Sequence, residues 1–312
     1  MRYIIKKLCV LLATLFVVSL LAFFAFQLIP GDPTTGILGT SATPERVAAL
    51  RAELGLDRPV FLRYFLWLGS FFTGGGRSYS YAQSVSSLLS GKLPITLTLS
   101  AMAFVLVAAI SLPLGIFLAR REGSVLDRVL TAFNQLVMAL PPFFAGILLI
   151  WLFGLVLKLF TPGNFVPLSQ DPAGYFTYLF FAALAIALPR AAMAVKLLRA
   201  GLFGEMRKDY IRTAYSRGNS RRSALMRHAL KNAVLPMVTF LAMTLGDIVA
   251  GSVIAEQVFS IPGVGRLLLA SIGNRDYPVV QSIVVLIACI VIGLNFLADL
   301  LSRALNPRLR EN

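Results

Sequence analysis

Residues 95–119 read ITLTLSAMAFVLVAAISLPLGIFLA, twenty-five positions without an ionisable side chain. At about 1.5 Å per residue, that run as a helix exceeds the roughly 30 Å of a bilayer's hydrocarbon core. Five further runs share its character. Leu8–Ile29 precedes it without a charge, and Val129–Leu157 follows it, broken by Pro141-Pro142. Then come about Gly174–Val195, with Arg190 near enough its end to snorkel, Ala233–Ala255, with the single charge Asp247, and Val279–Ala298. Backbone groups in lipid must be satisfied internally, and the runs lack the alternation of a membrane β-strand, so helices are expected. The fold class that follows is an all-α polytopic membrane protein with about six transmembrane helices.

The composition agrees. Of 312 residues, 57% are hydrophobic and 14% charged, against roughly 45–50% and about 25% in an ordinary soluble domain. Polar side chains are too few to cover a water-soluble globule of this size, and the same numbers exclude intrinsic disorder. Two cysteines cannot build a secreted disulfide scaffold. Cys9 and Cys289 both fall in spans and read as small packing residues. Arg2, Lys6 and Lys7 ahead of an apolar run imitate a signal peptide. The run is too long and lacks a small-x-small cleavage site, so it reads as a retained first span.

The formal charge of +15 would suggest nucleic acid in a soluble chain. Here the basic residues gather between apolar runs. Twenty Lys and Arg fall on the side of the two termini and the second-to-third and fourth-to-fifth connections, against nine on the other side. The positive-inside rule then expects both termini in the cytoplasm, and no nucleic-acid partner. The chain reads as one membrane domain over residues 1–312, with an extracytoplasmic segment at 30–93 and a cytoplasmic segment at 196–232. In the outer segment, Thr43-Pro44-Glu45 as cap and start and Gly55 as stop predict a short amphipathic helix.

The cytoplasmic segment carries the strongest pattern. From Met206 to Gly218, an apolar stripe of Met206, Tyr210, Ala214 and Gly218, flanked by Ile211 and Tyr215, alternates with Arg207, Lys208, Arg212 and Arg217. Gly218-Asn219 suits a helix C-terminus and Ser220 can cap a new helix that enters the fifth span. One reading is a basic helix resting on anionic lipid. The other is a short helix that docks on a soluble partner and passes force to a span, which the ordered break at 218–220 favours.

Asp209-Tyr210-Ile211-Arg212-Thr213-Ala214, then Gly218, then His228-Ala229-Leu230-Lys231-Asn232-Ala233 and Leu235-Pro236, resembles the EAA loop of ABC-importer permeases. It is most similar to the peptide/nickel family, the B-type subunits of dipeptide, oligopeptide and nickel importers. Leu28-Ile29-Pro30-Gly31-Asp32-Pro33, Leu54-Gly55-Leu56-Asp57-Arg58-Pro59, the stretch Phe259 to Arg266, the stretch Arg275 to Gln281 and Asn306-Pro307-Arg308 follow the family in order. Arg212-Thr213-Ala214 stands where Glu-Ala-Ala names the loop in other members, and resembles the peptide-permease variant. The resemblance implies a type I ABC-importer transmembrane fold in a bacterial inner membrane. It implies as partners a homologous second permease, two ATP-binding subunits and an extracytoplasmic substrate-binding protein, all meeting in or on the lipid bilayer. The loop would be a coupling helix, with Tyr210, Ile211 and Ala214 in a groove of the ATPase, Gly218 at the turn, and Arg212, Arg217 and Arg221 paired with acidic residues there. Peptides and nickel or other metal chelates are the solute classes it implies.

This chain is not expected to hydrolyse ATP, to bind a cofactor of its own or to hold a metal. ATP and Mg would belong to the partner ATPases. Gly91-Lys92 is followed by Leu93, and Ser86 stands where the first glycine of a P-loop is required. The single histidine, His228, excludes a multi-histidine zinc site. Asp247 and Glu256 are candidate pathway residues, because intramembrane carboxylates face a cavity or a partner, and an inter-helix tie to Asn295 is the competing role. Asp32 and Glu256 are candidates for an outer gate, and Pro141-Pro142 for a kink or hinge. The alternative transport class is an ion-coupled secondary transporter, which should show an inverted repeat and more midplane ionisable groups. A membrane-embedded enzyme lacks a catalytic constellation here.

Overall fold

The computed structural model describes residues 2–27, 34, 38 and 42–305. Asp32, the rest of the 28–33 motif and Asn306-Pro307-Arg308 lie outside them. Among the described residues, five helices are long and apolar enough to cross a membrane, or six if one bent pair is a single span. These are α1 (Arg2–Gln27), α5 (Leu93–Arg120), α8 (Pro172–Met206), α10 (Arg221–Val258) and α12 (Tyr277–Leu305), with α6 (Val125–Ala139) and α7 (Pro142–Val156) as the pair. Shorter helices are α2 (Pro44–Glu53), α3 (Val60–Thr73), α4 (Val85–Ser90), α9 (Asp209–Ser216) and α11 (Val264–Gly273). Two compact units result: Met1–Thr96 with Pro262–Gly293, and Leu97–Ile261 with Leu294–Asn312.

The first unit is held by an aromatic seam. Phe23 of α1 meets Tyr64 and Trp67 of α3 edge-on or tilted, and Ser19 and Tyr64 share a hydrogen bond of 2.9 Å inside it. At 14 residues α3 spans about 21 Å, too short to cross the hydrocarbon core. Its apolar content gave no sign of which partner it would choose. Helix α2 forms as expected, with Thr43 accepting from the Arg46 N–H and Gly55 left-handed at φ +65. None of its residues is fully buried, and Val47 and Leu50 are half-buried. Val85 of α4, Val264 and Leu267 of α11 and Val279 and Ile283 of α12 form a second core. The loop ahead of α4 hangs on Asp276, fully buried, whose carboxylate accepts from Ser78 Oγ (2.5 Å), Tyr79 N (3.0 Å) and Ser80 N (3.2 Å).

The second unit is built on α8, which packs against α6, α7 and α10. Its contact face is alanine-rich, with Ala182, Ala183, Ala185, Ala187, Ala191, Ala192 and Ala194 all buried. Small side chains let helices approach closely where lipid offers no hydrophobic drive between them. Gly201 lies so near α10 that a Cβ there would sit 2.9 Å from the Ala233 carbonyl oxygen. The helix outruns the expected span: its 35 residues extend about 52 Å and continue through residues assigned to the loop.

Two expectations need correction. Pro141-Pro142 breaks the third span rather than kinking it, since α6 and α7 diverge by 108°. Leu140 and Pro141 are extended, as steric conflict with the following proline ring requires, and Pro142 restarts the helix at its first position. Arg190 does not snorkel. It turns inward and donates to the Ile186 carbonyl at 3.0 Å and to the Asp247 carbonyl of α10 at 2.9 Å.

Candidate functional site

Helix α9 is a single two-turn element between the long helices α8 and α10. Its first turn carries Asp209, whose charge favours a helix N-terminus. Its end is a Schellman motif: Asn219 N–H donates to the Ala214 carbonyl (3.2 Å) and Gly218 N–H to the Tyr215 carbonyl (2.9 Å). Gly218 has φ +82, which the motif demands and which glycine adopts without strain. Asn219 Nδ2 adds a bond to the Ala214 carbonyl at 3.1 Å. Ser220 then caps α10, its hydroxyl accepting from Ser223 N–H. The helix, turn and new helix expected from the sequence are all present, though Met206 belongs to α8 rather than to α9.

A polar cluster fixes α9 to both neighbours. Tyr210 Oη donates to Glu205 Oε2 (2.6 Å) at the end of α8, Lys208 Nζ holds Glu205 Oε1 (2.5 Å), and Asn232 Nδ2 of α10 donates to Tyr210 Oη (3.3 Å). Partial burial, then the bond to the Glu205 carboxylate, raises the Tyr210 pKa, so its hydroxyl stays protonated. These bonds tie α9 to α8 through Glu205 and to α10 through Asn232. No periodicity pointed to Glu205, because the Tyr210 contact crosses the helix break. Asn232 stood in the quoted motif without a role.

The burial pattern corrects the groove-filling set. Ile211 and Ala214 are buried within the chain, and α9 packs on the 224–229 stretch of α10. Those side chains are already used and cannot enter a partner. Arg221 is also engaged, with Nη2 2.6 Å from Glu122 Oε2 in the α5–α6 connection. The face left open comprises Tyr210, Arg212, Thr213, Tyr215 and Arg217. Arg212 and Asp209 form an exposed pair at 3.4 Å, which contributes little to stability.

The pathway candidates separate. Asp247 and Glu256 are nine residues apart, about 900° of helical rotation, and so lie on opposite sides of α10. Asp247 is exposed on the isolated chain, whereas Glu256 is fully buried. One surface cannot display both. Pro141 sits in the extended break, and Phe143, Phe144 and Trp151 of α7 are exposed.

Residues 111–311 match the family described as the binding-protein-dependent transport system inner membrane component, and residues 1–100 match the N-terminal domain of the same systems. The chain belongs to this family. It is 32% identical over 309 residues to a probable peptide ABC transporter permease of Sinorhizobium fredii, covering 99% of each chain. It is 31% identical over 311 residues to the dipeptide transport system permease DppB of Lactococcus lactis, again with 99% of each covered. Its structure is similar to a chain of the MetNI methionine ABC transporter in an inward-facing form, with a TM-score of 0.56 and 20% identity. That likeness covers 70% of this chain and 96% of the other, and it concerns the fold. The chain is therefore a multi-pass inner-membrane permease subunit of an ABC importer. The family works with ATPase and substrate-binding partners, and ion-coupled secondary transport no longer stands as its class.

Proposed function

We propose that this permease forms half of the translocation pathway of an ATP-driven peptide importer and that α9 is its coupling helix. The cluster of Glu205, Tyr210 and Asn232 carries the reading, because it ties one short, exposed helix to two long ones. Two ATPase subunits, a homologous second permease and an extracytoplasmic binding protein complete the assembly. Both termini face the cytoplasm, so α9 lies on the ATPase side. ATP and Mg remain with the ATPases. Peptides are favoured as cargo by the peptide and dipeptide permeases among the full-length relatives, and Asp247, exposed in mid-span, is the pathway residue.

The test is site-directed cross-linking in the assembled importer. Thr213→Cys is expected to cross-link to a cysteine placed in the ATPase groove, with a yield that changes when ATP closes the ATPases. Equal cross-linking from the outer-segment residue Ser80→Cys, or none from position 213, contradicts the docking.

A further inference from the structure

The first unit contains a cavity that involves neither α9 nor Asp247. It has a volume of about 490 Å³ and lies between α1, α3, the end of α2, the 75–79 turn and the start of α12. That size suits a small ligand. Arg58, Arg63 and Arg77 line it, and Glu53 is the one carboxylate among the described lining residues. Three guanidiniums against one carboxylate leave a net charge of about +2. Arg63 uses one nitrogen on Gln27 Oε1 (3.2 Å) and Arg77 one on the Ala82 carbonyl (3.1 Å), which leaves most of their donors available.

Trp67 lines the same cavity and is 8% exposed. Tyr79, held by Asp276 through its backbone, adds a hydroxyl. Burial, then Asp276, raises its pKa to about 12 against the opposing pull of Arg63, so the phenol remains neutral. The polar lining is thus dominated by donors beside an apolar wall that includes Leu66. Planar guanidiniums match the geometry of a carboxylate.

We infer that this cavity is a binding site for the C-terminal carboxylate of a short peptide, held by Arg58, Arg63 and Arg77 beside the Trp67 ring. The site rests on the peptide-importer reading above and places a cargo contact in the unit that contains the outer segment.

The chain has two tryptophans, so Trp151→Phe leaves Trp67 as the only indole reporter. Trialanine titrated into this full-length protein in detergent should change Trp67 fluorescence saturably. C-terminally amidated trialanine should bind about ten- to a hundredfold more weakly. Arg63→Gln should weaken trialanine to a similar degree, and Arg58→Gln, at an exposed position, provides a second variant with less risk to folding. An equal response to the amide, or no response to either peptide, overturns the site. Tighter binding of doubly blocked aspartate than of trialanine also overturns it, because the ligand is then an acidic side chain. ATP-driven trialanine uptake by the complete importer separates the two readings. Uptake unchanged by Arg58→Gln and Arg63→Gln sinks the cavity alone, whereas no uptake with the unmodified chain sinks the peptide importer.

Discussion

At Gly218 one dihedral angle decides whether α9 ends where it does. A Cβ there would meet no neighbouring atom within 4 Å, so Gly218→Ala acts through the left-handed backbone alone. It should cost about 1–2 kcal/mol, and Gly218→Asn less, read as thermal shifts of the detergent-solubilised protein. Tyr210→Phe keeps the ring but removes the bonds to Glu205 and Asn232. The stability loss should be no more than about 1 kcal/mol, while the proposed coupling role of the contact requires ATP-driven uptake to fall further. Equal losses in both readouts would reduce Tyr210 to a packing residue. Asp276→Ala strips the acceptor from three donors around 78–80. It should cost about 3 kcal/mol, with faster amide exchange confined to the 77–84 loop.

Among the elements, the broken pair α6–α7 is the most informative. Replacing Pro141 and Pro142 together by alanine restores two backbone donors and frees Leu140 from the extended region. Spin labels at Val129 and Leu152 should then move apart as the 108° break opens, and an unchanged distance would assign the break to tertiary packing instead. The positions of the spans were legible because a hydrophobic run of bilayer length leaves few alternatives. The break was legible only as a kink, since the prolines state where hydrogen bonds are lost and not how far the chain turns. The end of α9 was legible through Gly218 and Ser220, whose backbone requirements are local. Its buried face was not. Periodicity placed Tyr210, Ile211 and Ala214 together, but which of them faces the chain depends on α10 folding back beside it. The ion pair of Arg221 was not legible for the same reason, because its partner Glu122 lies 99 positions away.

For the whole molecule, the charge excess belongs to a membrane permease and, in the proposed assembly, marks the surface that meets the ATPase. Much of it lies in the segment that surrounds α9, where Arg212 and Arg217 remain exposed and Arg221 and Lys208 are tied to the chain's own carboxylates. The exposed Asp247 and the buried Glu256 show that one helix can carry two carboxylates with unrelated surroundings. The proposed coupling role makes transport by this permease depend on motion delivered at α9. The direct measurement is uptake of radiolabelled trialanine into proteoliposomes holding this chain and its second permease, with binding protein present, with and without the ATPase subunits. Uptake is expected only when the ATPases and ATP are both present, and accumulation driven by a proton or sodium gradient without them would contradict the account.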